Sequence, residues 1–211
     1  MPMEHTDFAL AFQDGATIAD AQGTLTTMRV RSLGELVVPS GQIIACDPLT
    51  AIEPAPFAQR ITPGRYPVLA SLAALADGDQ RVACAMLRLS DAPVVRWEMA
   101  RLRGQEGIAL QTGEFFGYSI DAGVGCFMDA QAATALDARY DSDESYDEAL
   151  IDAMEANRAQ QLDYANVTLD EVSGVNVVMF ESGWGDGVYI SYWGFDVNDA
   201  PACLVTDFSV F

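Results

Sequence analysis

The 211-residue chain contains no lysine: its eleven basic residues are all arginines, set against 31 Asp and Glu, for a formal net charge of −20. Histidine occurs once, at His5. Without lysine there is no Schiff base, no Walker A phosphate loop and no lysine general base. A lone histidine beside the N-terminus makes Ser-His-Asp and Cys-His nucleophile systems poor expectations. The four cysteines, Cys46, Cys84, Cys126 and Cys203, form no C-x-x-C pair, so zinc sites of the common Cys/His kind lack their ligand pairs. Cys84 and Cys203 lie in apolar runs and read as small core residues with reduced thiols, which fits a reducing cytosol. No stretch approaches the length of an apolar membrane span, and the acidic start Met1–Asp7 lacks the basic and apolar regions of a signal peptide.

Half of the residues are hydrophobic and a fifth are charged, enough to build a core and too little charge for global disorder. Length predicts a single domain over 1–211. The charge is unevenly placed. Residues 1–103 hold eleven acids and nine arginines, whereas 104–211 hold twenty acids and only Arg139 and Arg158, a net of −18. Such a half repels phosphate backbones and anionic lipid, so neither nucleic acid nor membrane is an expected partner. A basic protein or a cation is the complementary one. Plain solubility is the blander account of the same charge. Arg81, Arg88, Arg96, Arg101 and Arg103 are expected to pair with the acidic half across the fold.

Strand signals dominate the chain. Residues 34–39 and 42–46 read as strands around a Ser40-Gly41 turn, and the proline-rich 47–63 reads as a surface connection. Residues 66–74 and 80–89 flank Asp77-Gly78-Asp79 as a hairpin whose second strand alternates Val82, Cys84, Met86. Residues 94–103 fit strand or helix, and 117–128 a strand with a glycine-rich bend. Asp129 is placed to cap a helix through Ala132, Ala133 and Leu136 to about Arg139. Ser145 and Glu148 have capping-box spacing ahead of a second helix with a Tyr146, Leu150, Met154 stripe. Residues 175–181, 188–195 and 202–211 close the chain as strands. The predicted class is α+β: a predominantly antiparallel β sandwich or open barrel with a two-helix insertion around residues 129–158.

Two glycine-rich bends are candidate sites. In Gly117–Asp129, Asp121 and Asp129 flank a bend able to bring carboxylates and backbone amides together. In Glu181–Asp196, three glycines surround Trp184 and Asp186. Asp121, Asp129 and Asp186 are therefore the candidate ligands for a divalent cation, or the acid and base groups of a carboxylate enzyme. The structural alternative is heavier at both bends: a helix cap at Asp129 and a hairpin turn at Trp184. No other cofactor is implied. Asp143, Glu144, Asp147, Glu148, Asp152 and Glu155, together with an exposed Trp184, are the candidate partner-binding residues.

The run Gly34-Glu35-Leu36, Pro39 to Pro48, Tyr66-Pro67-Val68, Val95 to Ala100, Asp121 to Asp129, Ser182 to Gly187, Tyr192-Trp193-Gly194 and Val205 to Phe208 is familiar as a series. It resembles the bacterial domain-of-unknown-function family numbered 4241 from about residue 30 to the end. That resemblance implies one domain and marks the bends at Asp121–Asp129 and Ser182–Gly187 as shared, without assigning a catalytic role. The leading expectation is an acidic cytoplasmic binding protein, possible as an immunity-type inhibitor of a basic bacterial toxin by analogy of kind. A metal-dependent carboxylate enzyme and a purely structural module are the alternatives, and nothing in the sequence signals an oligomeric state.

Overall fold

The computed structural model describes residues 6–19, 23–51, 53–75, 78–158 and 162–211. His5 and Asp77 of the proposed hairpin turn lie outside the described residues.

β-Branched residues and period-two burial make β2 (Leu25–Val38) the longest strand, with a register slip between Ser32 and Gly34. It pairs antiparallel with β1 (Thr17–Ala19) at its start and with β4 (Gly64–Ala74) along its length. β4 forms the expected hairpin with β5 (Gln80–Arg88). β12 (Pro201–Asp207), β11 (Gly187–Phe195) and β6 (Arg96–Met99) complete the sheet in the order β1-β2-β4-β5-β12-β11-β6. β7 (Tyr118–Ile120) pairs with the start of β11. The second sheet runs β3-β8-β10-β9 from β3 (Ile43–Cys46), β8 (Val124–Asp129), β9 (Tyr164–Thr168) and β10 (Asn176–Glu181). All the pairings are antiparallel, and the first, curled sheet packs on the second as the α+β reading anticipated.

The strands β4, β5, β8, β10, β11 and β12 are buried on both faces over most of their length, which explains why they read as continuous apolar runs. Between the sheets lie Leu36, Val38, Leu72, Leu87, Phe127, Phe180 and Phe208, with Phe127–Phe180 and Phe180–Phe208 ring pairs at 5.3 and 6.0 Å. Alternate residues of β8 and β10, namely Cys126, Met128, Val177 and Met179, face outward against α2 (Ala130–Ser142) and α3 (Tyr146–Glu155). On the outer face of the first sheet the short α1 (Phe8–Ala11) covers one apolar cluster, its Phe8 packing on Trp97 and Tyr192. The alternation expected for Val82, Cys84 and Met86 is replaced by burial of every residue from Val82 to Leu87, with a one-residue slip at Ala83 dividing them between the two clusters.

Four local expectations change. β2 and β3 flank Ser40-Gly41 as foreseen, yet they join different sheets, so the turn is a crossover. The described residues of 47–63 form no strand, as the prolines require, but they are no mere surface connection: Asp47, Phe57 and Ile61 are buried, and Phe57 and Ile61 donate backbone hydrogen bonds to the carbonyls of Ile43 and Gly41. Ser145 makes no capping box, because its hydroxyl and amide both donate to Asp143 Oδ1 at 2.8 and 3.0 Å. Of the five arginines expected to pair across the fold, Arg96 alone forms an ion pair with the acidic half among the described residues, at Asp199. Arg81 and Arg88 pair locally with Asp79 and Asp91, and Arg101 stacks on Phe116. β1, β9 and α1 carried too few residues for the sequence pattern to mark them.

Candidate functional site

The two glycine-rich bends meet. The first, residues 121–123, links β7 to β8 and is anchored by Asp47, whose Oδ2 accepts from the amides of Asp121 and Ala122 at 3.0 and 2.7 Å. Asp47 Oδ1 also accepts from the Leu49 amide at 2.9 Å, so this fully buried carboxylate is saturated by backbone donors. The second bend, residues 182–186, joins β10 to β11. The Ser182 amide donates to the Gly123 carbonyl at 3.1 Å, and the hydroxyls of Ser182 and Tyr189 both donate to the Gly185 carbonyl at 2.8 Å. Gly183 is required here: its φ is +53°, and a Cβ would lie 2.8 Å from Phe208 Cβ.

Asp121 and Asp186 are exposed on these adjoining bends. Asp129 is not with them. It stands at the far end of β8, roughly 16 Å along the strand at 3.3 Å per residue. It is fully buried and accepts from Gln131 N, Ser40 N and Ser40 Oγ at 2.8, 3.0 and 2.7 Å. Its role is to cap α2. Among the described residues no group of three or more His, Cys, Asp and Glu is placed to hold a metal ion, so Asp121, Asp129 and Asp186 do not form the convergent ligand set the sequence left open.

Beside the first bend lies a cavity of about 230 Å³ lined by Cys46, Phe57, Leu102, Tyr118, Asp121 and Ser191 among others. Its walls are mainly apolar, and Asp121 is among its lining residues. The Tyr118 hydroxyl donates to Thr206 Oγ1 at 3.4 Å, and burial pushes its pKa far above the ordinary tyrosine value, so it stays protonated. Cys46 Sγ lies 3.7 Å from Cys126 Sγ. Burial, reinforced by the neighbouring Cys46, pushes the Cys126 thiol well up. A half-buried tyrosine and a buried thiol, both held protonated, supply neither a base nor a ready nucleophile.

The remaining candidates lie on the helical layer and at the second bend. Asp143, Glu144, Glu148, Asp152 and Glu155 are exposed, and Asp147 is half-buried. The Ser145 hydroxyl, followed by its amide, holds the Asp143 carboxyl below the usual range. Both arginines of this half are already engaged. Arg139 donates through Nε and Nη2 to the Leu169 carbonyl, at 3.1 and 2.9 Å. Arg158 binds Asp163 at 2.8 Å and Glu155 at 3.3 Å. Trp184 is 57% exposed, with the Arg81 guanidinium 5.2 Å from its ring centroid. Half-buried Glu181 joins these regions: burial and then the Asp163 carboxylate raise its pKa, while Arg81 and Arg158 oppose the rise. A band of charges thus runs from the end of α3 through Arg158, Asp163, Glu181 and Arg81 to Trp184.

The family model described as "Protein of unknown function (DUF4241)" matches residues 36–206. The chain belongs to this family. The matched stretch contains both bends, the cavity, the helical layer and the Cys46–Cys126 pair, whereas α1 and β1 precede it. No curated protein and no solved structure matches the chain. Sequence reasoning missed Asp47 and the thiol pair for one reason: Asp47 acts on a bend more than seventy residues away, and Cys46 meets Cys126 only through the β3–β8 register. No helix among the described residues is long and apolar enough to cross a membrane.

Proposed function

We propose that the chain is an acidic cytoplasmic binding protein for a basic protein partner, with an immunity-type inhibitor of a basic toxin as its biological form. The observation that carries this reading is the disposition of the two arginines in residues 104–211. Arg139 is turned into a backbone carbonyl and Arg158 is held by Asp163 and Glu155, so among the described residues Glu155 is the one acid of α2 and α3 with an ion-pair partner, and the others face outward without one. Self-repulsion on such a face is relieved by a cationic surface, and the field speeds encounter in a salt-sensitive way. Trp184, at the end of the adjoining charged band, adds an aromatic contact of the kind interfaces favour.

The test pairs a capture experiment with a charge variant. Partners retained from the native host at low salt are compared for the unaltered chain and for Glu144→Gln/Asp147→Asn/Glu148→Gln/Asp152→Asn. The expected result is a basic protein released as salt rises and associating with the variant on the order of tenfold more slowly. Recovery of no basic partner, or of one indifferent to both salt and the four neutralisations, would overturn the reading.

A further inference from the structure

We infer that Cys46 and Cys126 form a dithiol couple that a peroxide closes to a disulfide, with the cavity beside the first bend as the entry route. The two residues are direct partners in the antiparallel β3–β8 register, and their sulfurs are 3.7 Å apart. Directly opposed antiparallel residues have Cα atoms about 4.5–5.5 Å apart, inside the span a disulfide bridges. Closing to a bond of about 2.05 Å therefore needs side-chain rotation rather than strand movement. The register singles out this pair. Cys84 stands opposite Ser71 and Asp207, and Cys203 opposite Arg88 and Gly194, so neither faces a thiol.

Access assigns the order of events. Cys46 is 5% exposed and lines the cavity, whereas Cys126 is wholly buried behind it. The Cys46 sulfur attacks one peroxide oxygen; the O–O bond breaks, and with hydrogen peroxide the products are Cys46 sulfenic acid and one water. The Cys126 sulfur then attacks the sulfenic sulfur, the S–O bond breaks, and the hydroxyl leaves as a second water with the Cys126 thiol proton. Two electrons pass from the sulfurs to the peroxide, and two thiol protons end in water. The second step is intramolecular, and the 3.7 Å separation of the sulfurs offsets the low thiolate fraction of a thiol that burial keeps protonated. Closure draws Cys46 Sγ away from the cavity and clamps β3 to β8 next to Asp47, the anchor of the first bend.

The folded chain is treated with hydrogen peroxide, quenched, denatured, alkylated and mapped by mass spectrometry. Alkylatable thiols should fall from the four free cysteines to two, with a linked peptide joining Cys46 to Cys126 and full recovery on reduction. Cys84 and Cys203, both buried, serve as internal controls. Cys46→Ser and Cys126→Ser should each abolish the linked peptide while leaving those controls alkylatable. Uniform loss across all four thiols would overturn the inference. So would accumulation of Cys46 sulfinic acid beside a still-alkylatable Cys126, or four intact thiols at a peroxide dose that oxidises the denatured chain.

Discussion

The side chain of Asn176 completes an edge that no strand among the described residues covers. β1 pairs only with Leu25–Thr27 of β2, and farther along this edge single side chains take over. Asp14 accepts from Val30 N at 3.0 Å, Asn166 donates to the carbonyls of Leu33 and Glu35, and Asn176 both accepts from Val37 N and donates to Glu35 O at 2.8 Å. Asn176 also donates to Asn166 at 2.6 Å, so the pair bonds the first sheet to the second. Removing it strands an amide and weakens a carbonyl's satisfaction at a site only 4% exposed. Asn176→Ala should therefore lower stability by about 1–3 kcal/mol, read as a lower urea midpoint at unchanged slope. A loss below about 0.5 kcal/mol would mean that water replaces the amide without cost. None of this was legible in the sequence. An asparagine bonding to backbone more than 130 residues away leaves no local pattern.

Elements were read well where their signal is local and poorly where it depends on a neighbour. Both helices of the insertion, and the cap at Asp129, follow from residues within a few positions of one another. So do the apolar runs that became β4, β5, β8, β10, β11 and β12. Sheet membership did not follow, because a strand covered on both faces shows no alternation to reveal which face meets which layer. The two helix starts show the same division. Asp129 accepts three hydrogen bonds, two of them from Ser40 in the crossover, so it secures a helix and a sheet switch together. Ser145 has the right sequence spacing, but its φ and ψ of −103° and 13° lie outside the extended region a capping residue adopts, and Asp143 takes its hydroxyl. Asp129→Ala should cost about 2 kcal/mol, combining a lost cap with an abandoned Ser40 amide, whereas Ser145→Ala should stay within about 0.5 kcal/mol. Equal losses in chemical denaturation would show that the capping-box reading, rather than the observed geometry, describes α3.

For the molecule as a whole, the charge of −20 and the layered fold act on stability in opposite directions. Burying the central strands on both faces demands apolar surface, and the acids it displaces collect on the outside, where they repel one another. The carboxyls divide accordingly. Asp143 and Asp170 are held below their ordinary range by the hydroxyls of Ser145 and Ser173, and Asp196 by the amides of Ala200 and Asn198. Glu181 goes the other way, raised by burial and by Asp163. For the three aspartates the folded value is the lower one, so their contribution is complete above the unfolded value near 3.8 and is lost as pH falls through the folded values. For Glu181 the folded state holds its proton more tightly than the unfolded chain does. Its ionised form thus costs stability at neutral pH, and that cost vanishes as pH falls from the folded value through the unfolded one near 4.5. Glu181→Gln should accordingly raise the urea midpoint at pH 7, with the gain shrinking as pH approaches 4. The unaltered chain should gain stability as pH falls through the folded value of Glu181 toward 4.5, and lose it on further acidification as the three aspartates are protonated. Urea titrations of both proteins across this range read the two effects separately. A Glu181→Gln chain less stable than the unaltered one at pH 7 would reverse the sign, showing that Arg81 and Arg158 hold the carboxylate more strongly than burial and Asp163 oppose it.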